Sequence, residues 1–106
     1  MIEIITEVTG ISREEILGNI QTKEIVEARQ LYWYMLRWLR VSYEAIAILC
    51  NRTHGTVIFG VRRIQGFLDI GDRQITRFWN EIQEKAKTHK NVKTIEFFTI
   101  KDIQKL

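Results

Sequence analysis

The residues best suited to bind an anion or a nucleobase are concentrated between Cys50 and Ile64. This stretch carries cationic and hydrogen-bonding side chains and no carboxylate that could neutralise them: Arg52, His54, Thr56, Arg62 and Arg63. Donors clustered at the start of a helix can bind phosphates or base edges when that end enters the major groove of DNA. The stretch therefore predicts contact with double-stranded DNA.

This chemistry requires a helix that begins at the polar end of the stretch. Thr53 is suited to be the N-cap, because its hydroxyl can accept a hydrogen bond from an unpaired backbone N–H. Val57, Val61 and Ile64 recur at the spacing of one helical face, which we expect to point into the core until Gly71 ends the helix. The polar residues then lie at the start of this recognition helix or on its outer side.

A short helix and a tight turn are predicted to precede the recognition helix. Ser42 has the side chain of an N-cap for a helix over Tyr43–Leu49, and the turn occupies Cys50–Arg52. Apolar residues of the short helix are expected to face inward: Ala45, Ile46 and Leu49.

The longest helical pattern runs from Lys23 to Leu39 and predicts the central core helix. One side is apolar, with Ile25, Ala28, Tyr32, Leu36 and Leu39, whereas Arg29, Gln30 and Arg37 lie off it. Further aromatic residues lie on more than one side: Trp33, Tyr34 and Trp38. Core packing is the favoured interpretation of these aromatics, with nucleobase stacking or an exposed partner surface as the alternatives.

Three further helices complete an all-α prediction of about six helices. The first ends at Gly10, and Ser12 to Glu15 has the pattern of a capping box that opens the second, which Gly18 stops. Asp72 caps the last of the three, whose apolar residues are Ile75, Phe78, Trp79 and Ile82.

The chain of 106 residues, of which 45% are hydrophobic, is predicted to form one domain over residues 1–88, followed by a tail at 89–106. The tail contains a β-branched and aromatic segment and also an apolar spacing typical of a helix: Thr94–Ile100 for the first, and Ile100, Ile103 and Leu106 for the second. We interpret it as an additional helix.

The charge is distributed unevenly along the chain. The net charge is +3, yet residues 1–51 carry five Lys and Arg against seven Asp and Glu, and residues 52–106 carry eleven against six. The positive half thus begins at the recognition stretch. A lone cysteine, Cys50, predicts no disulfide within the chain. Without an apolar run of membrane-spanning length or a signal peptide, the protein is predicted to be cytoplasmic.

Three segments together resemble the C-terminal DNA-binding domain of DnaA, the bacterial replication initiator. They have the order and spacing of that family: Ile25–Gln30, Ser42–Ile46, and Arg52–Val57 followed by Arg62–Ile64. The resemblance covers about Ile4–Lys85. It implies an all-helical fold similar to the Trp-repressor type of helix-turn-helix. It also implies that the domain, like that of the DnaA family, binds a short AT-rich box through its recognition helix and a basic loop in the minor groove.

The resemblance also implies roles for individual residues. Carried over by position, Arg52, His54 and Thr56 would contact bases or phosphates, Arg29, Gln30 and Arg63 would contact the DNA backbone, and Lys23 would occupy the place of the minor-groove arginine. Ser42, Thr53 and Gly55 complete the predicted DNA-binding set.

Four departures from the family pattern bear on specificity. Thr53 stands where the family commonly has Asp, which removes a carboxylate able to accept from a cytosine amino group. Gly55 stands where it has Thr, which removes a methyl contact to thymine. Glu27 and Ala28 replace an Arg-Pro pair, and Lys23 replaces an arginine better suited to a narrow minor groove.

Two functions of different classes follow from this sequence. The first is a DNA-binding factor related to replication or regulation. The second is a protein-interaction module that keeps the fold but has lost tight DNA binding, as Glu27, Thr53 and Gly55 suggest. A homodimer or another protein partner stays open. No catalytic set and no P-loop pattern is present, so we expect neither an enzyme nor nucleotide binding, and no cofactor or metal.

Overall fold

Six helices make up the fold of the part of the chain that the structure describes. The computed structural model describes residues 1–88, so the predicted helix in the tail at 89–106 lies outside the described residues. Between residues 1 and 88 there is no strand, and the prediction of an all-α fold is confirmed. The helices are α1 (Ile2–Thr9), α2 (Arg13–Leu17), α3 (Lys23–Trp38), α4 (Tyr43–Cys50), α5 (His54–Asp69) and α6 (Arg73–Thr88).

Local capping chemistry fixes the helix ends close to the predicted positions. Gly10 ends α1 in the left-handed conformation, with φ 77°, which a residue without a Cβ adopts readily. The capping box that opens α2 is complete, because Ser12 Oγ accepts from Glu15 N at 3.2 Å and Glu15 Oε1 accepts from Ser12 N at 3.1 Å. Asp72 Oδ2 accepts from Ile75 N at 3.0 Å, so Asp72 caps α6 as predicted.

Helix α3 lies at the centre of the bundle and packs against α1, α2, α4 and α5, whereas α6 covers α1 and α5. The apolar residues predicted to face inward from α3, α5 and α6 are buried, except that Phe78 is only partly so. The centre of the domain is therefore the apolar face of α3, and it supports both helices of the predicted DNA-binding unit.

A glycine allows the recognition helix to lie close to the central helix. A Cβ added at Gly60 of α5 would lie 2.6 Å from Trp33 Cε3 and 3.0 Å from Gln30 Cγ on α3. Carbon atoms do not approach one another that closely without displacement, so any larger residue would push the two helices apart. The position of α5 on the core thus depends on the absence of a side chain at residue 60.

The aromatic residues of α3 mostly pack inside, as the favoured interpretation expected. Tyr32 and Trp33 are buried. Tyr34 and Trp38 each meet the ring of Trp79 on α6 edge to face, with centroid distances of 4.7 Å and 5.3 Å. Trp38 nevertheless remains 40% exposed.

The structure differs from the sequence prediction at three side chains. Leu49, which was expected to face inward, is 46% exposed, because the buried side of α4 is centred on Ile46 and Cys50, one turn apart. Arg29 and Gln30 were placed off the apolar side of α3, but only 3% and 5% of their surfaces are exposed. Contacts with other parts of the fold explain both burials, as described below.

Candidate nucleic-acid interface

The turn between α4 and α5 has the geometry that the sequence predicts. Asn51 adopts the left-handed conformation at φ 52°, and Arg52 N donates to Ala47 O at 2.9 Å, which closes the last turn of α4. Thr53 Oγ1 then accepts from Thr56 N at 3.2 Å. Thr53 is therefore the N-cap of α5, and this bond commits its hydroxyl to the helix end.

The first turn of α5 faces solvent. His54, Gly55 and Thr56 are exposed, and no acidic residue lies in this turn. A Cβ added at Gly55 would meet no atom within 4 Å, so the space in front of it is open. Because the first N–H groups of a helix lack partners within the helix, this end offers donors to an anion or a base edge.

Arg52 is half-buried and contacts the loop that connects α2 to α3. Its guanidinium donates to Gly18 O across 34 residues of sequence, and also to Asn51 O at 3.5 Å. The side chain is thus held at the base of the recognition helix. It still has exposed surface, and it lines a surface depression together with His54.

Arg29 does not have the position that the resemblance implies. Instead of reaching outward to DNA, its Nε donates to Ile16 O at 2.7 Å and its Nη2 donates to Glu15 O and Ile20 O at 2.9 Å and 3.1 Å. Burial, and to a smaller extent the charge of Arg52, lowers the pKa of Arg29 from its ordinary value. The prediction of a direct backbone contact for Arg29 is therefore corrected to a role inside the protein.

Gln30 is likewise buried, and it holds a second cation in place. Its Oε1 accepts from Arg63 Nη1 at 2.7 Å, and the Arg63 guanidinium also lies 4.8 Å from the centre of the Phe67 ring. Arg63 is half-buried. Gln30 and Phe67 therefore fix the orientation of the Arg63 guanidinium at the surface.

Two surface depressions lie beside α5. The Lys23 depression is lined by Gln21, Lys23, Val26, Gln30, Phe59 and Arg63. The His54 depression is lined by Glu44, Ala47, Ile48, Asn51, Arg52 and His54. Five of the predicted site residues line these depressions: Arg52 and His54 the second, and Lys23, Gln30 and Arg63 the first.

The structure adds residues that the sequence prediction did not include. Phe59 is 65% exposed at the edge of the Lys23 depression, although it is a large apolar residue. The guanidinium of Arg37 lies 4.7 Å from the centre of the Tyr43 ring, and that ring meets His54 edge to face at 6.1 Å. Tyr43 directly follows Ser42, a predicted site residue. This adjacency is the feature of the sequence that could have indicated that Tyr43 lies at the site.

Ser42 has a structural hydrogen bond at the start of α4. Its Oγ accepts from Ala45 N at 3.1 Å, which makes Ser42 the N-cap that the sequence predicts. The residue is exposed, so its backbone and the first turn of α4 stay accessible. The starts of α4 and α5 both face solvent in this way.

Within residues 1–88, no group of three or more His, Cys, Asp or Glu side chains could hold a metal ion. The same part of the chain contains no helix that is both long and apolar enough to cross a membrane.

An N-capped α4, a tight turn and a second helix with an exposed N-terminus define a helix-turn-helix domain. The chain belongs to the family of the bacterial DnaA protein helix-turn-helix, whose family model matches residues 1–64. The resemblance described from the sequence is thereby confirmed at the level of the family.

Curated relatives of this chain are replication initiators. It is 35% identical over 83 residues to the chromosomal replication initiator protein DnaA of Thermotoga sp. (strain RQ2), which covers 77% of this chain and 19% of the relative. It is 36% identical over 88 residues to the chromosomal replication initiator protein DnaA 2 of Protochlamydia amoebophila, covering 82% of this chain and 20% of the relative. The chain thus spans about a fifth of the length of these relatives. No solved structure gives a significant match.

Proposed function

We propose that this chain binds double-stranded DNA in a sequence-specific manner, with α5 as the recognition helix, and that it serves as a replication-related or regulatory factor. The observation that carries the proposal is the exposed, carboxylate-free first turn of α5, with Arg52 in the turn before it and Lys23 and Arg63 in the Lys23 depression further along the same helix. Family membership supports the same function. No P-loop pattern occurs in the sequence, so the proposed activity does not depend on ATP hydrolysis.

The first turn of α5 reads bases in this proposal. His54 and Thr56 are exposed where the helix end would enter a major groove, and Arg52 lies at its base. Arginine donates well to guanine, and the threonine methyl can contact thymine. These three residues are therefore assigned to sequence recognition.

The Lys23 depression contacts the backbone of the DNA. Lys23 and Arg63 supply positive charge, and Gln30 orients Arg63 through the 2.7 Å hydrogen bond. Contacts to phosphate carry no sequence information, but they fix the register of the protein on the duplex. Arg29 supports this surface from inside, because it holds the loop that leads to Lys23.

Exposed apolar residues favour a second candidate function, a protein-interaction module. Phe59 at the Lys23 depression and Ile48 at the His54 depression are 65% and 49% exposed. A partner protein could cover both, because aromatic and aliphatic side chains are typical of the centres of protein interfaces. Such a module would keep the fold but would not bind a duplex tightly.

Fluorescence anisotropy tests the choice between these functions. The protein is titrated with a labelled duplex that carries a DnaA-type box and with a scrambled duplex, at several salt concentrations. The expected result is tighter binding to the box. The logarithm of the association constant should fall with the logarithm of the salt concentration, with a slope of about −0.9 for each neutralised phosphate. Absence of binding at low salt would overturn the proposal and favour the protein-interaction module.

Substitutions assign the roles within the same measurement. Arg52→Ala and His54→Ala should each cost about 1–3 kcal/mol on the preferred duplex, whereas Arg63→Ala should weaken all duplexes alike and reduce the salt slope by about 1. Arg13→Ala is the matched control, since Arg13 is an exposed arginine that lies 3.9 Å from Glu3 and lines neither the Lys23 nor the His54 depression. Equal loss on every duplex from the first two variants would contradict base reading.

A further inference from the structure

Three side chains from three different helices meet beside the first turn of α5. The Arg37 guanidinium of α3 lies 4.7 Å from the centre of the Tyr43 ring, and this ring lies 6.1 Å from the His54 ring at an interplanar angle of 89°. Tyr43 is the first residue of α4, and His54 is the first residue of α5. The contact therefore connects the starts of both helices of the helix-turn-helix.

The Tyr43 ring is held more firmly than the imidazole that it contacts. Tyr43 is half-buried and packs against the core, whereas His54 is exposed. Arg37 is fixed in turn by a hydrogen bond from its Nη1 to Val41 O at 3.3 Å. A cation over the ring face and an edge-to-face neighbour are both favourable arrangements for an aromatic ring.

We propose that Tyr43 is a positioning residue that fixes the orientation of the His54 side chain before DNA binds. The inference rests on the proposed function, because it assigns a role within the same DNA interface. An exposed histidine at the first position of a helix would otherwise sample several rotamers. Ordering such a side chain on binding costs affinity, and a neighbour that orders it in the free protein removes that cost.

A double-mutant cycle measures whether Tyr43 acts through His54. Tyr43→Leu keeps an apolar side chain for the core but removes the ring, and should weaken binding to the preferred duplex about three- to tenfold, the range expected for one side chain that must be ordered again. In a His54→Ala background the same substitution should have little further effect. Equal losses in both backgrounds would overturn the proposal, because they would indicate a role that does not involve His54.

Tyr43→Phe separates the ring from the hydroxyl. This variant keeps the edge-to-face contact, so it should bind the duplex as tightly as the unchanged protein. A loss as large as that of Tyr43→Leu would show that the hydroxyl contacts DNA directly, and it would overturn the positioning role.

Nuclear magnetic resonance of the DNA-free protein reads the same contact independently of the duplex. The imidazole protons of His54 should show a ring-current shift that disappears in Tyr43→Leu and persists in Tyr43→Phe. If these signals do not respond to Tyr43→Leu, the contact is absent and the proposal is overturned. If the shift is present but no duplex binds, the proposed function fails, and with it the role of Tyr43 in DNA binding, while the ring contact itself is established.

Discussion

Arg29 and Arg52 donate hydrogen bonds to carbonyl groups of the same short segment, although they belong to different parts of the fold. Arg29 binds the carbonyls of Glu15, Ile16 and Ile20, and Arg52 binds that of Gly18. Within residues 1–88 neither guanidinium has a carboxylate within salt-bridge distance. Backbone carbonyl dipoles therefore stabilise two neighbouring cations. In return, the two guanidinium groups hold the loop that leads to Lys23 in place.

Substitution of Arg29 should destabilise the protein and also weaken DNA binding, although Arg29 is buried. Arg29→Met leaves three carbonyls without their donor, so the free energy of unfolding should fall by about 2–4 kcal/mol. Arg29→Lys should recover little of the loss, because an ammonium cannot reproduce the planar fork of donors. Urea denaturation checks both variants, and full recovery by lysine would contradict the fork geometry.

Gly60 should tolerate no side chain, whereas a second glycine of the same helix should. Gly60→Ala introduces a Cβ 2.6 Å from the buried Trp33 ring, so it should lower the free energy of unfolding by about 1–3 kcal/mol. Gly66 lies in the same helix with no atom within 4 Å of an added Cβ, and Gly66→Ala should be neutral or stabilising by up to about 1 kcal/mol. Equal effects of the two substitutions in thermal denaturation would argue against the close approach of α3 and α5.

A threonine at residue 55 should increase affinity for a thymine-containing box. The space in front of Gly55 is open, so Gly55→Thr adds a methyl group to the recognition face without a clash. Burial of that methyl against the thymine methyl should contribute about 0.5–1 kcal/mol, which is about two- to fivefold in Kd. The gain should vanish on a duplex in which deoxyuridine replaces thymidine. A gain that persists there would indicate improved helix stability instead.

Alkaline pH should destabilise the fold through Cys50. Burial raises the pKa of the Cys50 thiol to about 11 from an ordinary value of 9.0, so the folded state keeps the proton more firmly than the unfolded state. The resulting stability is fully present below about pH 9 and is lost as the pH rises towards 11, by up to about 3 kcal/mol. Urea denaturation between pH 8 and 11 measures the effect.

The matched variant for this titration is Cys50→Ala. This substitution should remove most of the loss of unfolding free energy between pH 9 and 11. Burial also raises the pKa of the Tyr32 hydroxyl, so a smaller decline should remain at the upper end of the range. If the two proteins lost stability in parallel, Cys50 would not be the group responsible.

Helix boundaries were largely predictable because they depend on neighbouring residues. Ser12 with Glu15, Thr53 and Asp72 are caps whose partners lie three residues away, so the sequence alone contains both members of each bond. The buried face of α5 followed from apolar spacing in the same way. Such local rules predicted all six helices of the described residues.

The placement of Arg29 and Gln30 could not be predicted by these rules. A polar side chain counts as outward in any periodic pattern, but the partners of Arg29 lie nine to fourteen residues away and the partner of Gln30 lies 33 residues away. The contact of Tyr43 with His54 depends likewise on how two helices meet. The roles of Gln30, Tyr43 and His54 in DNA binding remain predictions, as do those of the other residues of the proposed interface.

The three tryptophans of the chain give it a separate optical reporter for each of two helix contacts. Trp33 lies at the close approach of α3 to α5, while Trp38 and Trp79 touch each other where α3 meets α6. In a protein with Trp38→Phe and Trp79→Phe, fluorescence would therefore follow the separation of the recognition helix from the core. With Trp33→Phe instead, it would follow the release of α6, so the order in which the two helices detach becomes observable without any added dye.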